Sequence, residues 1–134
     1  MNILDTSALI AVIDKEPDYL VYAATMANAD TCVASSVTLQ EASIVMLGRR
    51  GPAGVLDLRS LLAAVEATIV PFTVEDNNAA TDAYVRFGKG RSTRANVNMC
   101  DCIAYALAQS RDAALLYKGA DFGHTDIRSA LAPD

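Results

Sequence analysis

Four short β-leaning runs punctuate this chain, and helical stretches fill the gaps between them. One run leads into Asp5, and the others cover residues 31–34, 68–70 and 114–117. The intervening segments with helical character are 8–13, 18–28, 37–47, 52–66, 74–87 and 98–109. Strands separated by helices are joined by crossovers, which produce a parallel sheet covered on both faces. The expected fold is α/β, a three-layer α/β/α sandwich around a central parallel sheet of four to five strands. Punctuation fits this order. Pro17 sits near a helix start, Gly48 closes one helix, Gly51-Pro52 opens the next and Pro71 ends the third strand. No internal repeat or long linker interrupts the pattern, so residues 1–134 read as one domain with a core of its own.

The totals exclude several classes. Hydrophobic residues make up 52% and charged residues 20%, a globular rather than a disordered balance. No apolar run approaches the roughly 18 residues of a membrane span. The N-terminus has no basic region and meets an acid at Asp5, which argues against a secretory signal. Cys32, Cys100 and Cys102 form no CxxC pair and leave one thiol over, as expected of reduced cysteines in a cytoplasmic protein. A net charge of −5 argues against coating nucleic acid by bulk charge, while leaving room for a local basic patch.

The acidic residues carry the chemistry. Asp5 ends the first strand, and ligands of parallel α/β sheets bind at the carboxyl ends of strands. Asp5, Thr6 and Ser7 are equally good helix caps. Glu41 has Val37, Ile44 and Val45 at i−4, i+3 and i+4, which sets a carboxylate inside an apolar stripe. An unpaired charge there is costly; Thr38-Leu39-Gln40-Glu41 also fits a capping box. Asp101 opens a helix, where an acid suits both cap and dipole. Asp121 follows the fourth strand and would serve as a turn residue; Asp126 lies further along the tail.

Taken together, these carboxylates follow strands or open helices, positions that share one edge of a parallel sheet. Two carboxylates about 5 Å apart repel by roughly 3 kcal/mol at an effective dielectric of about 20. A cation among them relieves this, and an oxygen-only donor set selects a hard ion, Mg²⁺ or Mn²⁺. Such an ion activates water and neutralises charge on a phosphoryl oxygen. The loop 88–94 adds Lys89, Arg91 and Arg94, either a solvated loop or a grip on a phosphate backbone.

These residues resemble a known family. Asp5-Thr6-Ser7-Ala8, Glu41-Ala42-Ser43, Ile69-Val70-Pro71-Phe72 and Gly88-Lys89-Gly90-Arg91 stand in its order. So do Asn98, Asp101-Cys102, Ala104-Tyr105-Ala106-Leu107-Ala108, Leu115-Leu116, Lys118-Gly119 and Asp121-Phe122. Their collinear combination is similar to the PIN-domain ribonucleases, specifically VapC-type toxins of toxin–antitoxin pairs. The resemblance implies a Mg²⁺- or Mn²⁺-dependent endoribonuclease, a homodimer, and inhibition by a cognate VapB-type antitoxin lying across the active-site groove. It implies a core acidic set of Asp5, Glu41 and Asp101, with Asp121 as the fourth acid and Ser7 as a supporting group. Asp126 matches a tail motif and takes no metal. Two departures bear on RNA choice: Cys100 stands where glycine is usual, and the basic loop is one residue longer, with Ser92-Thr93 where a histidine is common.

Other readings compete. A cysteine hydrolase would use Cys100 near a helix N-terminus with His124 as base. A phosphatase with Asp5 as nucleophile wants a second aspartate two residues on, where Ser7 stands. A binding module without catalysis would act only in complex formation.

Overall fold

The computed structural model describes residues 1–90 and 94–131. Four strands, β1 (Asn2–Leu4), β2 (Cys32–Ser35), β3 (Thr68–Val70) and β4 (Ala114–Leu116), form one sheet. All pairings are parallel, in the order β3-β2-β1-β4. The helices are α1 (Thr6–Ile13), α2 (Tyr19–Asn28), α3 (Ser36–Arg50), α4 (Pro52–Ala64), α5 (Val74–Phe87) and α6 (Met99–Ser110).

Alternation along the strands divides the core into two layers, because successive side chains of a strand point to opposite faces. Ile3, Val33 and Leu115 join the cluster with Ala80 and Ala83 of α5 and Cys102 to Ala108 of α6. Their neighbours Leu4, Ala34 and Leu116 join Leu9 of α1, Met26 of α2, Met46 of α3 and Leu58 of α4. The three-layer sandwich is therefore present, on four strands. The tail adds a single bridge, Leu115 to Ser129, without becoming a fifth strand.

Several boundaries move for physical reasons. Helix α1 starts at Thr6 because Asp5 is its cap, with its side chain accepting from the Ser7 N–H. Helix α3 begins directly after β2, capped by Ser35, and runs through Gly48 to Arg50. A glycine inside a helix costs about 1 kcal/mol. Here the extra turn is offset by Arg49 and Arg50, which both pair with Asp14, Arg50 at 2.8 Å. The helix stops at Gly51, whose φ of +65° lies in the left-handed region that favours glycine.

Gly54 then lets α4 fold tightly back on α3. A Cβ at this position would sit 2.5 Å from the Met46 carbonyl oxygen. Gly54→Ala is accordingly expected to destabilise the protein by about 2 kcal/mol, read as a lowered urea midpoint with unchanged slope.

Candidate active site

Chain order turns back between β1 and β4: the sheet grows from β1 through β2 to β3, then returns to add β4 on the other side. Such a switch point leaves a crevice beyond the carboxyl ends of the two strands. Asp5 emerges from β1 into this crevice, and Lys118 and Asp121 follow β4. Helices α3 and α6 contribute Glu41 and Asp101. A cavity of about 350 Å³ is lined by all four acids, together with Thr6, Ser7, Glu16, Arg49 and Lys118. Five carboxylates against two cations make it a site for positive charge.

Three of the four acids are held by specific partners. Asp5 Oδ2 accepts from the Ser7 N–H at 3.0 Å and from Ser7 Oγ at 2.5 Å. Ser7 Oγ accepts in turn from the Lys118 N–H at 2.9 Å, which ties the exit of β4 to that of β1. Thr6 Oγ1 donates to Glu41 Oε1 at 2.5 Å. Asp101 and Asn98 form a reciprocal capping box, with Asp101 Oδ2 accepting the Asn98 N–H at 3.0 Å. Asp121 is exposed, in the turn after β4. Cap and site are therefore the same residue at Asp5, whereas α6 is capped by Asn98, with Asp101 as its capping-box partner.

At Glu41 the outcome differs from the periodicity argument. The buried stripe of α3 is Thr38, Ala42 and Met46, whereas Ile44 is 60% exposed. Glu41 is half-buried beside that stripe, at the cavity, and the helix is capped by Ser35 rather than by a Thr38 box. Small residues made the buried face hard to see.

Burial and mutual repulsion raise the affinity of this site for protons. Asp5 is pushed up to about 6, chiefly by burial, with Glu41 adding to the rise against the Ser7 hydrogen bonds. Asp101 is pushed up to about 7, again chiefly by burial, with Asp5, Asp121 and Glu41 adding to it. Among the described residues no three His, Cys, Asp or Glu side chains are already drawn together around a metal position. The donors nevertheless fit a hard cation. Five carboxylates and two hydroxyls line the cavity, no imidazole does, and the repulsion among the acids is what a cation would cancel.

The basic loop lies elsewhere. Neither Lys89 nor Arg94 lines the acidic cavity, and both are exposed; Arg91 lies outside the described residues. The cations that do line it, Lys118 and Arg49, were not singled out from sequence. Lys118 Nζ pairs with Asp18 at 2.7 Å and Glu16 at 2.8 Å, both from the α1–α2 connection. Its position directly after β4 was the available signal, as was Thr6 beside Asp5.

Cys100 is not a poised nucleophile: burial and the adjoining Glu41 push its thiol up to about 12. His124 is exposed and does not line the acidic cavity, so it gives the hydrolase no base there. Asp126 also lies outside the cavity. It accepts from Tyr105 Oη at 2.5 Å and pairs with Arg86 at 3.1 Å, fastening the tail to α5 and α6.

Comparison with known proteins agrees with this geometry. The PIN domain family model matches residues 3–128. Ribonuclease VapC28 of Mycobacterium tuberculosis is 40% identical over 129 residues, covering 96% of this chain and 97% of that protein. Ribonuclease VapC36 of the same organism is 38% identical over 126 residues, covering 93% and 90%. The crystal structure of M. tuberculosis VapC20, described as a sarcin-ricin loop cleaving toxin, superposes with a TM-score of 0.80 at 14% identity, over 99% of this chain and all of that one. Rickettsia felis VapBC2, bound to a promoter DNA fragment, gives 0.74 at 17% identity, over 96% of each chain. Among the described residues no helix is long and apolar enough to cross a membrane. The crevice with its four acids, the family match over almost the whole length and the 40% identity lead to one conclusion: the chain belongs to the PIN-domain family, among its VapC-type members.

Proposed function

We propose that this protein is a Mg²⁺- or Mn²⁺-dependent endoribonuclease, the toxin of a toxin–antitoxin pair. The observation that carries the reading is the set of four carboxylates, delivered by four separate segments, that line one cavity at the switch point. Relatives named as ribonucleases at 40% identity support it.

Asp5, Glu41, Asp101 and Asp121 would hold the ion. When bound, the ion supplies Lewis-acid activation of a water and neutralises charge on the scissile phosphate. The chain's own residues prepare the place. Ser7 keeps Asp5 in one orientation, Asn98 does so for Asp101, and Thr6 does so for Glu41. Lys118, on the wall, is paired with Asp18 and Glu16 and so fastens the α1–α2 connection beside the cavity. Hydrolysis would then need no protein nucleophile: water oxygen bonds to phosphorus, the opposite P–O bond breaks with its electron pair on the departing oxygen, and the proton lost by the water passes by way of a carboxylate to that oxygen, which leaves as a hydroxyl. Lys89, Arg91 and Arg94 would contact the RNA backbone further out.

Partners follow from the same reading: a VapB-type antitoxin, a homodimer and a cytoplasmic setting. Ile44 and Met99 are 60% and 67% exposed and line a depression that shares Glu41 and Val45 with the cavity, which gives a protein partner apolar surface beside it.

The test is cleavage of total RNA by purified protein with Mn²⁺ or Mg²⁺. Discrete fragments that disappear with EDTA support the reading, and intact RNA with the metal demonstrably bound overturns it. A finer test concerns Glu41. Thr6→Val keeps shape but removes the only described hydroxyl donor to that carboxylate. It is expected to weaken Mn²⁺ binding by about 10-fold or more in calorimetric titration, with Thr6→Ser restoring most of it.

A further inference from the structure

A second cavity, of about 650 Å³, opens between α5 and the start of α6, and the metal chemistry has no use for it. Its volume falls within the roughly 300–1,000 Å³ of small-ligand pockets. Its lining differs in kind from that of the acidic crevice. Phe72, Tyr84 and Met99 offer flat or polarizable surface, and Asn77, Thr81 and Asn98 offer amide and hydroxyl groups. Among the described residues Lys89 is the one charged member of the lining, and no carboxylate belongs to it. In a chain of net charge −5 that is a place where a polyanion meets no repulsion.

An apolar depression lies between the two cavities: it shares Glu41 and Val45 with the acidic crevice and Val37 and Met99 with the larger cavity. Asn98 lines the larger cavity while its side chain caps the helix turn that carries Asp101. A strand laid across α3 and the first turn of α6 therefore runs from the carboxylates over this depression to the larger, mainly apolar cavity.

We infer that this cavity receives an unstacked nucleobase of a single-stranded RNA whose backbone lies at the acidic crevice. Tyr84 and Phe72 supply stacking surface, and the Asn77 and Asn98 amides meet the base edge. Lys89 lies toward the phosphate. Sequence-specific reading of RNA works on splayed single-stranded bases in this way, by aromatic stacking and edge hydrogen bonds. The inference rests on the proposed ribonuclease activity, and it makes this pocket the origin of base preference near the cleaved bond.

The test uses short single-stranded oligoribonucleotides carrying 2-aminopurine, titrated with the full chain in Ca²⁺, which neutralises the carboxylates without supplying Mg²⁺ or Mn²⁺. Asn77 and Tyr84 are surface residues of α5 outside the carboxylate set. Asn77→Leu and Tyr84→Leu are expected to weaken binding by about 5- to 20-fold and suppress the fluorescence change, while Mn²⁺ affinity stays within about twofold of wild type. With total RNA and Mn²⁺, the same variants are expected to lose base preference at the cut. Unchanged oligonucleotide affinity and unchanged base preference would overturn the inference. A shift of sedimentation mass with neither effect on RNA would also overturn it, assigning the cavity to a second copy of the chain. RNA cleavage by wild type without any 2-aminopurine response sinks the pocket alone, and the converse sinks the nuclease reading alone.

Discussion

Asp5→Asn is expected to reduce metal-dependent RNA cleavage by about a thousandfold or more, and yet to melt at a higher temperature than wild type in EDTA near pH 8. The two effects have one origin. Asp5 is 4% exposed and faces other acids, so its charge costs stability when no cation is present. An asparagine retains an oxygen for the Ser7 N–H and hydroxyl, so the cap of α1 survives. Losing the charge also lowers the repulsion felt by Asp101. Asp5→Ala, by contrast, loses the cap as well, at about 1 kcal/mol. Cleavage rates and melting curves on the same preparations check both halves. Wild-type activity in Asp5→Asn would remove this residue from the reaction, and a lowered melting temperature would remove the electrostatic cost assigned to it.

The metal-free protein should also lose stability as pH rises toward neutrality, the reverse of what salt-bridged acids produce. Asp5 and Asp101 bind protons more tightly folded than unfolded. The native state therefore holds more protons between the ordinary value of 3.8 and the folded values of about 6 and about 7. Stability falls wherever the unfolded chain binds fewer protons than the native one as pH increases. Each pH unit of difference is worth roughly 1.4 kcal/mol per group, and the two groups share part of it because they repel each other. A fall in Tm of about 5–10 °C between about pH 5.5 and about pH 8 is expected. Asp18 and Asp126, whose carboxyls are held low by Lys118 and by Tyr105 with Arg86, act below this window and do not mask it. Mn²⁺ competes with those protons, so its stabilisation should grow with pH and oppose the decline. Differential scanning calorimetry with and without metal reads this directly. A flat metal-free profile would contradict the burial of ionisable charge at the site.

The fold was legible because parallel strands separated by helices leave few ways to arrange a chain. The β-leaning runs and helices stand close to their expected places, and the exceptions have local causes. Gly48 did not stop α3, because two arginines beyond it had Asp14 to bind. The acids were legible for a different reason. Asp5 and Asp101 sit at chain positions, after a strand and at a helix start, that topology carries to the same edge. Glu41 was found by an argument that was half right: the carboxylate does need an explanation, but the stripe it interrupts is not the buried one. Thr38 and Ala42 are too small and too polar or neutral to announce a core face, and they are nevertheless the residues that pack.

By itself, then, the sequence determined the layer architecture and the family and named four acids that line one cavity, since all three depend on residue type and order along the chain. Tertiary structure decided which cations share the crevice and which polar groups hold each acid. It placed Lys118 and Thr6 at the site and left Lys89 and Arg94 outside the acidic cavity, with Lys89 in the lining of a pocket the sequence did not suggest. The reason is reach. Backbone periodicity constrains neighbours within a few residues, whereas the Thr6–Glu41 and Ser7–Lys118 contacts join positions 35 and 111 residues apart, which only the closed sheet brings together.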